Sequence, residues 1–346
     1  MPNIQVSQPA ELLAAVPYVL GFHPTDSLVV VGVRARKLHF AVRVDLAECA
    51  DEPDPAALHL AEMLHDQRVD SAVVIGYGPP AQVTPVVDAA RRALAGRSIP
   101  LIDALRVTAD RFFSYTCESA ECCPPDGRAY DPGSSVTAAE ATLAGKVALP
   151  DRAAFAQVIA PVSGLARVAM EEATDRAESR FLAAMEGPGG RAALAAEGPA
   201  FVEAALSRHY SGGTLTDDEA AWLCALLLLV PVRDAAAHLI EQRPDDPHLP
   251  LWTDLTRRAQ PGLVAPVATL LAYAAYQDGQ GALASLALDR ARADDPEYSL
   301  AVLLHRAIVA GIPARRLRRR RPGAGQGPGV RRRAVLRRVV RRPAPN

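Results

Sequence analysis

An apolar run without alternation constrains the fold of this chain more than any other sequence feature. Residues 27–33 read SLVVVGV, a short run rich in β-branched residues and bounded by turn residues. A strand with one face in water alternates apolar and polar side chains, whereas a strand buried on both faces does not. The run therefore predicts a central strand in a sheet that is covered on both faces.

Polar side chains flank this strand and form the first candidate site. His23, Asp26 and Ser27 stand on the preceding turn, in GFHPTDS. A second strand, HFAVRVDL, follows closely and predicts a hairpin on which Arg43 and Asp45 share one face. These five residues are candidate ligand-binding residues. The alternative interpretation is structural, because Asp and Ser commonly hydrogen-bond their own turns and exposed ion pairs contribute little.

Strands and helices alternate in the rest of the first part of the chain. Apolar patterns predict helices at 53–67 and 83–95 and strands at 71–78 and 100–107. Such alternation indicates crossover connections and a largely parallel segment beside the hairpin. We therefore predict an α/β domain with a mixed sheet over residues 1–132.

Three of the five cysteines cluster in RFFSYTCESAECCPP, at Cys117, Cys122 and Cys123. They are compatible with unpaired thiols, with a disulfide from Cys117 to one of the adjacent pair, or with a metal site. A metal site would need a fourth ligand, for which Cys49 and His23 are candidates if the fold brings them near. The four-residue gap is long for a zinc knuckle, so the sequence favours no tightly bound metal and predicts no cofactor.

Three segments carry a resemblance to a known family. The runs LLAAVPYVLGFHPTDSLVVVGV, FAVRVDL and FFSYTCESAECCPPDG resemble the actinobacterial family described as domain of unknown function 4192. The resemblance spans most of residues 9–312. It implies that His23, Asp26, Ser27, Arg43, Asp45, Cys117, Cys122 and Cys123 belong to the recurring pattern of that family. It implies no particular activity.

The second part of the chain is predicted to be all-α over residues 133–313. Helical patterns occur at 136–144, 152–159, 168–185, 192–208, 217–229, 232–242, 249–259, 264–278, 282–293 and 297–310. The segment 265–298 is similar to one tetratricopeptide unit, with small residues Ala284 and Ala291 where two helices cross. An ordinary helical hairpin is the alternative, since a single unit shows no period.

The C-terminal segment 314–346 differs sharply in charge from the body. It contains 13 arginines and no acidic residue, which leaves residues 1–313 with 25 basic and 39 acidic residues, a net charge of −14. We predict that this tail is disordered, because it cannot bury enough apolar surface. It could bind nucleic acid weakly through phosphates. An artefact or a passive tail is favoured over a nucleic-acid-binding arm, since the composition of the segment is also what a shifted reading of GC-rich coding sequence produces.

The sequence is compatible with two classes of function. No apolar run reaches the length of a membrane span, and MPNIQVSQPAELL lacks the pattern of a signal peptide, so a cytoplasmic location is expected. The favoured function is a regulatory or scaffold protein that binds partners through its helical domain. The alternative is an enzyme or small-ligand binder that uses the 21–27 turn with Arg43 and Asp45. The chain has neither GxSxG nor HExxH, which disfavours a hydrolase.

Overall fold

The computed structural model describes residues 8–318. These residues form two compact units. The first unit contains residues 8–157 together with Ala307–Pro313, and the second contains Val158–Arg306 with residues 314–318. The division falls later in the chain than the predicted boundary between residues 132 and 133.

A mixed sheet forms the centre of the first unit, which confirms the predicted α/β class. The described strands are β1 (Ser27–Arg34), β2 (Lys37–Asp45), β3 (Ser71–Tyr77), β4 (Leu101–Val107), β5 (Arg111–Ser114) and β6 (Arg128–Ala129). Their order is β2-β1-β3-β4-β5-β6. The helices of this unit are α1 (Pro9–Leu20), α2 (Leu46–Cys49), α3 (Pro53–Asp66), α4 (Pro80–Gly96), α5 (Val136–Leu143) and α6 (Arg152–Ala156).

The expected parallel segment beside the hairpin is present as the pair β3 and β4, the two strands that the crossover through α4 connects. Among the described strands only β3 and β4 pair in parallel, and every other pairing is antiparallel. The crossover through α3 does connect strands of the same direction, β2 and β3. However, β1 lies between them and runs opposite to both. A pattern of alternating elements predicts the direction of strands but not which strand becomes the neighbour.

The burial on both faces predicted for β1 is confirmed, although the strand is next to the edge strand β2 and not in the middle of the sheet. Every residue from Ser27 to Val33 is buried, and only the last residue of the strand is exposed. Leu28 and Val30 join an apolar cluster with buried residues of α3 and α4. Val29 and Val31 point to the opposite face and are also fully buried. The absence of alternation in the sequence therefore has the expected cause, which is burial on both faces.

The second unit is helical, and each helix predicted for it is present. It contains α7 (Gly164–Glu186), α8 (Gly190–Tyr210), α9 (Asp217–Leu226), α10 (Val230–Gln242), α11 (His248–Arg258), α12 (Val264–Gln277), α13 (Gly281–Asp294), α14 (Ser299–Val309) and α15 (Ala314–Leu317). The last residues of α14 belong to the first unit. In α12 the twelve residues Val264–Ala275 are buried without interruption. A helix buried on all sides is a core helix, and α12 packs against α10, α11 and α13.

A buried arginine fastens α11 to the start of α9. The Arg258 guanidinium donates to the Leu215 carbonyl oxygen at 3.0 Å and to Asp217 Oδ1 at 3.3 Å, and it is paired with Asp254 one helical turn earlier. At the same place Thr216 caps α9 through a reciprocal bond with Glu219. Both Nη groups of the Arg258 guanidinium thus have partners, whereas its buried Nε has none among the described residues.

The chain returns to the first unit within the last turn of α14. Gln67 Nε2 donates to the Gly311 carbonyl oxygen at 2.9 Å, and His59 Nε2 lies 2.7 Å from the Val309 carbonyl oxygen. Beyond this point Ala314–Leu317 forms a helical turn, so helical structure extends into the segment predicted to be disordered. The remainder of that arginine-rich tail, residues 319–346, lies outside the described residues.

In the part of the chain that the structure describes, no single helix combines the length and apolarity of a membrane span. Two bent pairs of helices would pass the same test by length and composition alone.

Candidate functional site

The polar turn and the end of β2 meet at one end of the sheet. Ser27 pairs with Asp45 on one side and with Tyr77 on the other, so the start of β1 lies beside the ends of β2 and β3. The Leu46 amide donates to the Asp26 carbonyl oxygen at 2.9 Å and fixes the turn against β2. Asp26 holds a positive φ of 42°, a region that aspartate tolerates better than most residues.

Ser27 and Asp26 have different environments within this turn. The Ser27 side chain is fully buried and donates to the Thr25 carbonyl oxygen at 2.8 Å. It therefore serves the turn itself, as the structural interpretation predicted. The Asp26 side chain is exposed and lies over Gly78, where an added Cβ would be 3.6 Å from Oδ1.

Arg43 and Asp45 form the ion pair that their spacing on β2 predicted. Arg43 Nη2 lies 2.5 Å from Asp45 Oδ1, and Nη1 lies 3.3 Å from Oδ2. The Arg43 side chain is only 12% exposed and Asp45 is 31% exposed. A paired and partly desolvated guanidinium is held more firmly than one on an open surface, because water competes less for the carboxylate.

Three further residues at this pair were missed by the sequence analysis. Arg152 Nη1 approaches Asp45 Oδ2 at 3.6 Å, and the Phe22 ring lies 5.6 Å from the Arg43 guanidinium carbon. Phe155 packs on Phe22 with ring centroids 5.4 Å apart. Nothing in the local sequence pattern marks Arg152 or Phe155, since they reach β2 only through the fold.

A short parallel bridge places the segment that carries Arg152 and Phe155 beside the polar turn. Phe22 pairs with Leu149, the His23 amide donates to the Leu149 carbonyl oxygen at 2.9 Å, and the Leu149 amide donates to the Gly21 carbonyl oxygen at 2.8 Å. The backbone of His23 is thus fixed, and its imidazole is half-buried. Among residues 8–318 this imidazole makes no hydrogen bond or ion pair, so the structure does not bring it into the Arg43–Asp45 contact.

The three loop cysteines converge. The Sγ atoms of Cys117, Cys122 and Cys123 all lie within 4.8 Å of one another. All three are free thiols, with Cys122 exposed and the other two half-buried. Cys49, considered as a fourth ligand, instead lies in the apolar cluster beneath the sheet, and His23 is not part of the group either.

Asp103 organises the start of the cysteine loop. Its Oδ1 accepts hydrogen bonds from Ser114 Oγ at 2.8 Å and from Thr116 Oγ1 at 2.6 Å. Ser114 Oγ in turn accepts the Cys117 amide at 3.1 Å. The signal that could have revealed Asp103 is its position as the one acid within the strand sequence LIDALRV.

The thiols of the loop are electrostatically unequal. Hydrogen bonding from the Cys123 thiol, assisted by the backbone at Ser119, lowers the pKa of Cys117. Burial, together with the neighbouring Cys117, raises the pKa of Cys123 to about 12. The cluster thus has one sulfur that ionises readily and one that resists ionisation.

The family comparison covers both units. A model of the family described as domain of unknown function (DUF4192) matches residues 9–315. No curated protein and no solved structure matches the chain. The matched range contains the polar turn, the Arg43–Asp45 pair, the three cysteines and all of the described helices from α1 to α14. The chain therefore belongs to the DUF4192 family.

Proposed function

We propose that this protein is a cytoplasmic regulatory or scaffold protein that binds a protein partner through its helical unit. The observation that carries the proposal is an apolar stretch at the start of that unit, residues 158–168, most of which is exposed although Ile159 is buried. Its sequence, VIAPVSGLARV, contains a single charge. Leu165 is 89% exposed and Val168 is 51% exposed.

The position of Leu165 and Val168 on α7 supports this proposal. The core face of α7 is formed by Met170, Ala173, Thr174, Ala177 and Phe181. With 3.6 residues per turn, Leu165 and Val168 project from the opposite side of the helix. They therefore face away from their own core. A partner that covers such a face would stabilise the complex by about 1.5–3 kcal/mol for each apolar side chain that it buries.

We also propose that α12 and α13 form a tetratricopeptide-like hairpin. We further propose that the protein is of actinobacterial origin. Support for the hairpin comes from Ala284 and Ala291, which are fully buried on α13, the helix that packs on α12. Support for the origin is the resemblance of the polar turn and cysteine segments to the family. The acidic body of the chain fits a partner other than nucleic acid for everything outside the tail.

Site-directed photo-crosslinking tests the proposed surface. A photoreactive amino acid is placed at Leu165 and, as a matched control, at exposed Glu172 two turns further along the same outward face. We expect one partner to be captured from the native host at position 165 and not at position 172. The purified partner should then bind Leu165→Glu/Val168→Glu at least about tenfold more weakly than the unchanged protein, since two buried apolar contacts are lost. Equal affinity for the double variant would exclude this surface.

A second candidate function is binding of a small anionic ligand at the sheet end. The observation in its favour is that Asp45 is shared by Arg43 and Arg152, which gives the three groups one net positive charge beside the polar turn. Arg152 is half exposed and so is accessible to a ligand. Arginine is well suited to carboxylate or phosphate groups because its donors form a planar fork.

Calorimetric titration with a panel of carboxylate and phosphate metabolites tests this second function. We expect binding that Arg152→Ala abolishes and that Arg167→Ala, which removes an exposed arginine from α7, leaves unchanged. The absence of binding by every member of the panel would exclude the candidate.

A further inference from the structure

We infer that the loop between β5 and β6 binds one zinc ion through the thiolates of Cys117, Cys122 and Cys123. This goes against the expectation from the sequence, where the four-residue gap between the first two cysteines disfavoured a metal. The inference is independent of the partner-binding and ligand-binding functions proposed above.

The three sulfur atoms are close enough to share one metal ion. Zinc–sulfur bonds of about 2.3 Å in a tetrahedral site place sulfur atoms about 3.8 Å apart. The three Sγ atoms already lie within 4.8 Å of one another, so rotation about the Cα–Cβ bonds can bring them to bonding distance. The gap of four residues does not prevent this, because the loop folds back: the Cys123 amide donates to the Ser119 carbonyl oxygen at 2.7 Å.

The loop cysteines differ in environment from the other two cysteines of the chain. Cys49 and Cys224 are each 1% exposed and behave as small apolar core residues. The three loop cysteines are not in a core, and Cys122 is exposed. Burial therefore explains two cysteines and leaves the other three unexplained.

A single zinc ion would bind all three sulfur atoms. A disulfide between Cys117 and either neighbour would leave one thiol without a role. A donor set made only of thiolates selects zinc or another thiophilic ion over magnesium or calcium. Glu118 and Glu121 lie within the loop and add negative charge that favours a cation.

The network at Asp103 holds the first ligand in place. Asp103 orients Ser114 and Thr116, and Ser114 accepts the backbone amide of Cys117. In the described chain no fourth His, Cys, Asp or Glu donor atom joins the group within the same distance. The fourth position would then be taken by water, an arrangement that zinc adopts where one coordination site stays exchangeable.

Metal analysis of the full-length protein, purified with reductant and without chelators, tests the inference. We expect one equivalent of zinc in the unchanged protein and in Cys49→Ala, and none in Cys117→Ser. Both variants retain four cysteines, so the comparison depends on the position of the thiol and not on the number. Zinc retained in full by Cys117→Ser, or absent from the unchanged protein and not rebound after addition of zinc chloride, would overturn the inference.

A second measurement avoids variants that fail to fold. The unchanged protein is stripped of metal under reducing conditions and titrated with Co²⁺ without oxygen. A thiolate-to-cobalt charge-transfer band that saturates at one equivalent and is abolished by Zn²⁺ is expected. Peptide mapping should show that Zn²⁺ protects Cys117, Cys122 and Cys123 from alkylation. A Cys117–Cys122 or Cys117–Cys123 disulfide in protein prepared without added oxidant, with no cobalt band after reduction, would contradict the site.

Discussion

Single residues of the cysteine loop differ in chemistry although they are close in space. Cys117 receives a hydrogen bond that favours its thiolate, whereas burial and the neighbouring sulfurs oppose ionisation of Cys123. Since the thiolate is the reactive form of cysteine, reactivity reports the fraction ionised.

We predict that iodoacetamide modifies Cys117 faster than Cys123 in metal-free, reduced protein at about pH 8, which lies near the ordinary thiol pKa. The lowered pKa of Cys117 gives it more thiolate at that pH, and the raised pKa of Cys123 gives it less. Quantitative peptide mass spectrometry measures both rates. Cys224 is an internal control that should stay unmodified, because it is buried with a pKa raised to about 12. Equal rates of modification at Cys117 and Cys123 would contradict a lowered pKa at Cys117 and a raised pKa at Cys123.

Gly21 is required by both its backbone and its surroundings. Its φ is +87°, and a Cβ added there would lie 2.7 Å from Phe155 Cε2. We predict that Gly21→Ala lowers the free energy of unfolding by about 1–2 kcal/mol for the left-handed backbone alone, with a further loss from displacement of Phe155. Chemical denaturation measures the change. Gly145→Ala is the matched control, since Gly145 has a φ of +74° with open space around it and should suffer only the backbone effect. Equal losses would show that Phe155 moves without cost.

At the scale of elements, β1 and α13 make the clearest predictions. β1 is buried on both faces and pairs along both edges. α13 presents small residues to α12, with Ala284, Ala287 and Ala291 fully buried. We expect a substitution in β1 to destabilise the fold by burying a charge, and a substitution in α13 to destabilise it by overpacking.

Val30→Asp should leave the protein insoluble. Val30 is 1% exposed, and an unpaired buried carboxylate costs more than a marginally stable fold can tolerate. The soluble fraction after expression measures this. Ile102→Asp on β4 is the control, because Ile102 is 49% exposed and the new carboxylate stays in water. A soluble Val30→Asp protein with a cooperative melting transition would show that β1 lies at an edge of the sheet.

Ala284→Phe should destabilise the second unit by about 1–3 kcal/mol or more, the usual cost of overpacking a close contact. The larger side chain would force α13 away from α12, since Ala284 has no exposed surface. Thermal unfolding followed by circular dichroism measures the loss. Ala293→Phe, at an exposed position of the same helix, should have little effect. A silent Ala284→Phe variant would rule out close packing there.

At the scale of the whole molecule, a short segment from late in the chain belongs to the same unit as the N-terminal part. Residues 307–313 belong to the first unit, where Gly311 meets Gln67 and packs so closely that an added Cβ would lie 2.8 Å from Met63 Cγ. The first unit is therefore discontinuous in sequence.

We predict that a chain ending after Arg306 has a less stable first unit than a chain ending after Arg318. The shorter chain loses the acceptors of Gln67 and His59 and leaves part of α3 uncovered. Hydrogen–deuterium exchange should show faster exchange of the α3 amides in the shorter chain only. Identical α3 exchange in the two chains would mean that residues 307–313 contribute nothing to the first unit.

The sequence by itself determined the elements. The unalternated run at residues 27–33 predicted β1, and the helical pattern at residues 217–229 predicted α9, because burial periodicity is a local property that the chain carries at each position. The Arg43–Asp45 pair was equally local, since residues two apart on a strand share a face.

Only the tertiary structure decided which elements meet. It placed β1 between β2 and β3, brought Arg152 and Phe155 to the Arg43–Asp45 pair, folded Cys117 back onto Cys122 and Cys123, and returned Gly311 to α3. Each of these contacts depends on how complete surfaces pack against each other over long separations in the chain. Such packing is a property of the assembled core, and no local period or cap specifies it.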